Sequence, residues 1–209
     1  MSSLTQSSKS LRHKAFFNKV HHRPQTLTHP LDMIPTTLSP HSLLDGIRII
    51  EYGRNIAAPF ASKLLADLGA EVIKVEPVAG DPSRSLGPFQ DDSPNPETSA
   101  QFTYLNSNKR GVTLNLDRRS GQSLLRSLLQ EADVFLENAE PGDMEARDLS
   151  YSILSEINPH LVVTSVRPFG LTGPYHDLVG SDLISWHASA LGHRYLGEPN
   201  REPLRSGGY

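Results

Sequence analysis

A chain of 209 residues, with 37% apolar and 21% charged residues and a net charge of −3, is long enough for one domain with a core of its own. That balance shows neither the basic excess that nucleic acid selects nor a long acidic block. With no cysteine in the sequence, disulfides and thiolate metal ligands are excluded, and no apolar run approaches the length of a membrane span.

Residues 1–31 hold no Asp or Glu but carry Lys9, Arg12, Lys14, Lys19 and Arg23 among Ser, Thr and His. An acid-free, basic, hydroxyl-rich leader resembles a mitochondrial transit peptide; a disordered tail on a cytoplasmic protein is the alternative. Pro24, Pro30, Pro35 and Pro40 rule out a long helix over 23–41. Residues 1–41 are therefore expected to be leader and linker, with folded structure beginning near Ser42.

From Leu44 onward, strand and helix patterns alternate. Gly46–Tyr52 is a short β-rich run ending at Gly53. A helix is expected over Pro59–Leu68, with Pro59 in its first turn, Gly69 closing it, and Phe60, Leu64, Leu65 and Leu68 facing inward. Glu71–Glu76 reads as the second strand. A Pro-, Gly-, Asp- and Ser-rich excursion from Pro77 to Ser99 then interrupts the alternation, and its length suits a functional loop.

Gly111–Leu116 reads as the third strand. Ser120 would cap a helix over Gly121–Ala132 that turns Leu124, Leu125, Leu128 and Leu129 to the core. Asp133–Glu137 is the fourth strand, Leu149 or Ser150 to Ile157 a short helix stopped by Asn158-Pro159, and Leu161–Val166 the fifth strand. A last helix is expected from Asp182 to Leu191. This order predicts an α/β fold: an open, mostly parallel, Rossmann-like sheet with helices on both faces.

Ligands of such sheets bind outside the carboxyl ends of the strands. The loops to inspect are therefore Gly53–Pro59, Glu76–Arg84, Asn138–Arg147 and Arg167–Tyr175. The first of these lacks the G-x-G-x-x-G fingerprint of a dinucleotide site. Its Ala57 and Ala58 still permit close backbone approach ahead of a helix N-terminus, which suits a pyrophosphate; tight packing on the sheet would explain them equally well. Lys109 could set a point charge on a phosphate and Arg110 a forked contact, or both could be a solvated turn. Arg84 has the same two readings. Asn138 can donate and accept toward an adenine or an amide, or cap a turn. Arg167 ends the fifth strand at the same rim. His176, His187 and His193 lack metal-ligand spacing, so no metal is expected.

Six segments in this order resemble the class III coenzyme A-transferase family, which includes the α-methylacyl-CoA racemases. They are Leu44–Glu51, Leu68–Glu76, Asn108–Arg110, Ala132–Asn138, Ile157–Pro159 and Ser165–Gly170. The resemblance implies an enzyme of acyl-CoA metabolism that moves coenzyme A (CoA) from an acyl-CoA to an organic acid, and an interlocked homodimer of two-domain subunits. Neither nucleic acid nor membrane is implied as a partner.

By this resemblance residues 42–175 form the CoA-binding domain, and 176–209 begin the crossover to a second half. CoA would contact Ile56, Ala57, Lys109, Asn138, Ala139, Arg147 and Arg167. Pro77 replaces a basic residue common in the family, and Ala139 replaces an aromatic.

The resemblance also implies an aspartate nucleophile. It attacks the thioester to give a mixed anhydride, which returning thiolate converts to an aspartyl-CoA thioester. That aspartate is expected beyond Tyr209, so a non-catalytic CoA-binding fragment or a truncated gene product is the alternative. Asp182 is a weak substitute and more readily a helix cap. Ser181 stands where the racemases carry an acid/base histidine, which favours transfer over racemisation. A dehydrogenase-like Rossmann protein is a further, weaker reading.

Overall fold

Five short runs rich in Val, Ile and Thr pair in parallel to form a single sheet in the computed structural model, which describes residues 43–191 and residue 200. The strands are β1 (Arg48–Tyr52), β2 (Glu71–Glu76), β3 (Arg110–Thr113), β4 (Val134–Glu137) and β5 (Val162–Ser165). Their spatial order is β3-β2-β1-β4-β5. The expected α/β architecture is present. The leader, its linker and the segment 201–209 lie outside the described residues.

The helices are α1 (Ala57–Asp67), α2 (Ala100–Leu105), α3 (Arg119–Gln130), α4 (Asp143–Ala146), α5 (Tyr151–Ile157) and α6 (Asp182–Ala188). The sheet face covered by α3 and α5 holds the larger core, in which Ile50, Val75 and Phe135 meet Leu125, Leu129 and Leu154. Burying these side chains contributes roughly 1.5–3 kcal/mol each. On the opposite face, a smaller cluster of Ile49, Ala66, Ala70 and Val72 lies under α1.

Helix α1 starts two residues before the expected Pro59, and its inward face differs from the expected one. Ala58, Ser62 and Ala66 are buried, whereas Phe60, Leu64 and Leu68 are 39%, 47% and 45% exposed. Only Leu65 of the expected set packs against the core. Small side chains at this four-residue spacing let the helix lie close to the sheet, so the large ones turn outward.

Two other helices also depart from expectation. In α3, Leu125 and Leu129 are buried and Leu128 packs against them, but Leu124 is exposed. The helix begins before Ser120, with Arg118 at its cap position. Gly121 is required there, because a Cβ would lie 2.0 Å from the Asn115 carbonyl oxygen. Asn158 closes α3 from outside by donating to the carbonyls of Leu129 and Ala132 at 3.0 and 2.9 Å. The excursion after β2 contains two short 3₁₀ turns and leads into α2, a helix the sequence pattern had not indicated.

Candidate functional site

With β1 flanked by β2 on one side and β4 on the other, the chain reverses direction of travel across the sheet between β1 and β4. The crevice above that point is where open α/β sheets hold ligands. A cavity of about 560 Å³ occupies it. Its walls come from three strand-end loops and the start of α6: Arg54–Ala57, Asn138–Pro141, Val166–Gly170, and Gly180–Asp182 with Ser185.

Five of the seven expected contact residues line this cavity: Ile56, Ala57, Asn138, Ala139 and Arg167, joined by Asp182. Ile56 and Ala57 open α1, so the unpaired backbone N–H groups of its first turn sit at the cavity wall. Asn138 joins the two loops. Its Oδ1 accepts from Arg54 N at 2.8 Å, and its Nδ2 donates to Arg54 O at 2.9 Å. One donor and one acceptor of the amide are thus spent on a clasp between the β1 and β4 loops, which leaves its second N–H and one lone pair for a ligand.

Arg167 brings a guanidinium to the cavity lining. Its side chain is 9% exposed, and its terminal nitrogen lies 3.7 Å from Glu137 Oε1. Its Nε is buried with no hydrogen-bond partner. Arg126 and Arg147 share that unpaired, buried Nε, so what sets Arg167 apart is that it lines the cavity, where a guanidinium can fork onto an anion. Glu137 is fixed in turn by Ala139 N, which donates to its other oxygen at 2.6 Å. Asp182 stands at the first position of α6. The cap is its neighbour Ser181, whose Oγ accepts from Ile184 N at 3.4 Å.

Lys109 and Arg147 are placed elsewhere. The Lys109 side chain is 1% exposed and donates to Glu51 Oε2, Pro59 O and Asn106 Oδ1 at 2.8, 2.8 and 2.9 Å. All three of its donors are occupied, which corrects the expectation of a free point charge. Burial pushes its ammonium down to about 8, against the pull of Glu51.

Arg147 is held between Asp143 and Asp117 at 3.1 and 3.2 Å, outside the cavity walls. Arg84 forks onto both oxygens of Glu76 at 2.8 and 2.9 Å and lies 3.6 Å over the Phe102 ring. Arg110 pairs with Glu71 at 2.7 Å near the opposite edge of the sheet.

The cavity also recruits residues that sequence reasoning had not singled out: Arg54, Phe169 and His176. The position of Arg54 in the loop directly after β1 was the available signal. A larger hollow of about 660 Å³ lies at the amino edge, lined by Asp45, Arg48, Glu71, Arg110, Glu131 and Asp133. Its arginines pair with its own carboxylates, Arg48 with Glu71 and Glu131, and Arg110 with Glu71. The switch-point cavity is therefore the candidate site. Among the described residues no group of three or more His, Asp or Glu could hold a metal, and no helix is long and apolar enough to cross a membrane.

The family model for CoA-transferase family III matches residues 44–209. A succinyl-CoA:glutarate CoA-transferase of Homo sapiens is 38% identical over 168 residues, which are 78% of this chain and 36% of that one. A succinyl-CoA–D-citramalate CoA-transferase of Chloroflexus aurantiacus is 39% identical over 169 residues, 80% of this chain and 41% of the other. The crystal structure of a CAIB/BAIF family protein from Brucella suis superposes with a TM-score of 0.70 at 37% identity, covering 79% of this chain and 44% of that one. The chain thus spans about two fifths of the length of the curated relatives it matches.

Proposed function

The chain belongs to CoA-transferase family III, and on that premise we propose that its switch-point cavity holds the nucleotide end of CoA in an enzyme that transfers CoA from an acyl-CoA to a carboxylic acid. The observation that carries this reading is Arg167, whose side chain is 9% exposed and which lines the same cavity as Ile56 and Ala57 at the start of α1. Phosphate groups match both features: helix N-terminal amides and a guanidinium fork each bind them. Ala57 and Ala139 leave room for backbone approach, and Asn138 retains hydrogen-bonding capacity for an amide or adenine.

In this reading the described residues bind and orient. Contacts to the nucleotide, remote from the bond that changes, supply the binding energy that sets the thioester against the reacting carboxylate. The covalent relay through an aspartyl-CoA intermediate belongs to the whole enzyme. The names of the relatives support a dicarboxylic acyl group such as succinyl as donor. Calorimetric titration with CoA, ATP and NAD tests the reading. CoA should bind at least tenfold more tightly than the other two, and equal affinities, or tighter NAD binding, would overturn it.

A further inference from the structure

The loop Gly53–Pro59 brings Ile56 and Ala57 to the cavity wall, and it rests on a set of buried charges. Glu51 and Lys74 are register neighbours on adjacent strands, and both are buried beneath α1. Asp81 and Lys109 join them, so two carboxylates and two ammonium groups form a neutral quartet.

Each ammonium meets three oxygens. Lys74 Nζ lies 2.9 Å from Glu51 Oε1, from Gly53 O and from Asp81 Oδ2, the last as an ion contact without hydrogen-bond alignment. Lys109 Nζ meets Glu51 Oε2, Pro59 O and Asn106 Oδ1. Asp81 Oδ1 accepts from Asn55 N at 3.1 Å and from Ser83 N at 2.9 Å. Ser62 Oγ donates to Glu51 Oε2 at 2.7 Å.

Three backbone groups of the loop therefore end on the quartet: Gly53 O on Lys74, Asn55 N on Asp81, and Pro59 O on Lys109. The loop lies flush against it. A Cβ at Gly53 would stand 2.7 Å from Ala58 Cβ and 2.9 Å from Glu51 Oε1. Asn55 holds a left-handed φ of 60° between two of these ties.

We propose that Lys74 and Lys109, through Glu51 and Asp81, are positioning residues of the cavity: they fix the Gly53–Pro59 loop and so set where Ile56 and Ala57 meet the ligand. The effect of Lys109 on binding is then indirect, since a saturated ammonium has no donor left for a phosphate. A buried network in which every charge is paired and all but Asp81 Oδ2 are hydrogen-bonded favours one geometry, which suits a site that must be rigid before its ligand arrives. The consequence for CoA affinity rests on the function proposed above; the consequence for loop rigidity does not.

Amide hydrogen exchange of the ligand-free 209-residue chain, read by mass spectrometry, tests the proposal alongside calorimetric titration with CoA. In Lys109→Met, amides of residues 53–60 should exchange at least tenfold faster while those of β1 and β2 keep their protection, and the Kd for CoA should rise at least tenfold. Gly53→Ala retains every charge and should produce the same pair of changes by pushing the loop off the quartet; it decides the matter if Lys109→Met does not fold. Unchanged loop exchange in these variants overturns the proposal, and so does equal acceleration in loop and strands. Weaker CoA binding with an unchanged loop would make Lys109 a direct ligand contact and also overturn it. If the wild-type chain binds no CoA, the functional reading fails, while the exchange comparison still decides the positioning role.

Discussion

Arg167 and Lys109 are both cations of the kind that phosphate-binding sites use, and the structure gives them opposite circumstances. Arg167 lines the cavity with one long contact to Glu137, whereas Lys109 has spent all its donors inward. Arg167→Lys keeps a positive charge for Glu137 but loses the planar fork. It should weaken CoA binding about tenfold in calorimetry with little change in melting temperature. An unchanged Kd would remove Arg167 from the recognition set. Lys74→Met removes the cation beside Asp81 and leaves Glu51 to Lys109 alone, and should lower unfolding free energy by about 3–5 kcal/mol in urea titrations.

The buried ammonium also sets a pH dependence. Lys109 falls from its ordinary 10.5 to about 8 in the folded chain, burial outweighing Glu51. Between those values the unfolded chain holds the Lys109 proton more firmly than the folded one. Stability attributable to Lys109 should therefore rise with pH across that window and level off above it. Measured as the difference in unfolding free energy between wild type and Lys109→Met, the gain should be on the order of 2–3 kcal/mol between pH 8 and 10.5. A flat difference would mean that the ammonium titrates outside this range.

At the scale of elements, β2 appears with the bounds the pattern implied, and β1, β4 and β5 fall inside theirs, because β-rich runs between turn residues mark buried parallel strands. Alternation and helix length alone could not reveal which face of α1 turns inward. Periodicity points the large apolar residues to the core, but here the sheet surface beneath carries Glu51 and Lys74, and close approach selects Ala58, Ser62 and Ala66. A signal for the quartet was available: charges on central strands of a sheet covered on both faces have no route to water and must pair. The inward pairing of Lys109 was hidden for the same reason, since its reach to Glu51 is tertiary. Substitutions in α1 test this inversion by urea unfolding. Leu64→Gln should stay within about 0.5 kcal/mol of wild type. Ser62→Leu, which overpacks and removes a donor from Glu51, should cost about 2–4 kcal/mol. The reverse ranking would refute the assigned orientation.

At the scale of the whole molecule, the sheet orders its loops so that the carboxyl edge gathers Arg54, Asn138 and Arg167, while the amino edge closes its charges among themselves. Phe60, Leu64 and Leu68 turn outward from α1, and Leu183 and Ile184 are exposed on α6; large apolar side chains of this kind are what protein–protein contacts cover. On size-exclusion chromatography with light scattering, the chain should run as an associated species that shifts toward monomer in a Phe60→Ser/Leu64→Gln variant. A sharp wild-type monomer would contradict this.

The most direct test of the central claim is the crystal structure of this chain with CoA. The diphosphate should lie in the switch-point cavity, against the first turn of α1 and within hydrogen-bonding distance of Arg167, with Ala57 and Asn138 beside it. CoA seated at the Asp45–Asp133 hollow, or anywhere away from the carboxyl ends of β1 and β4, would contradict it.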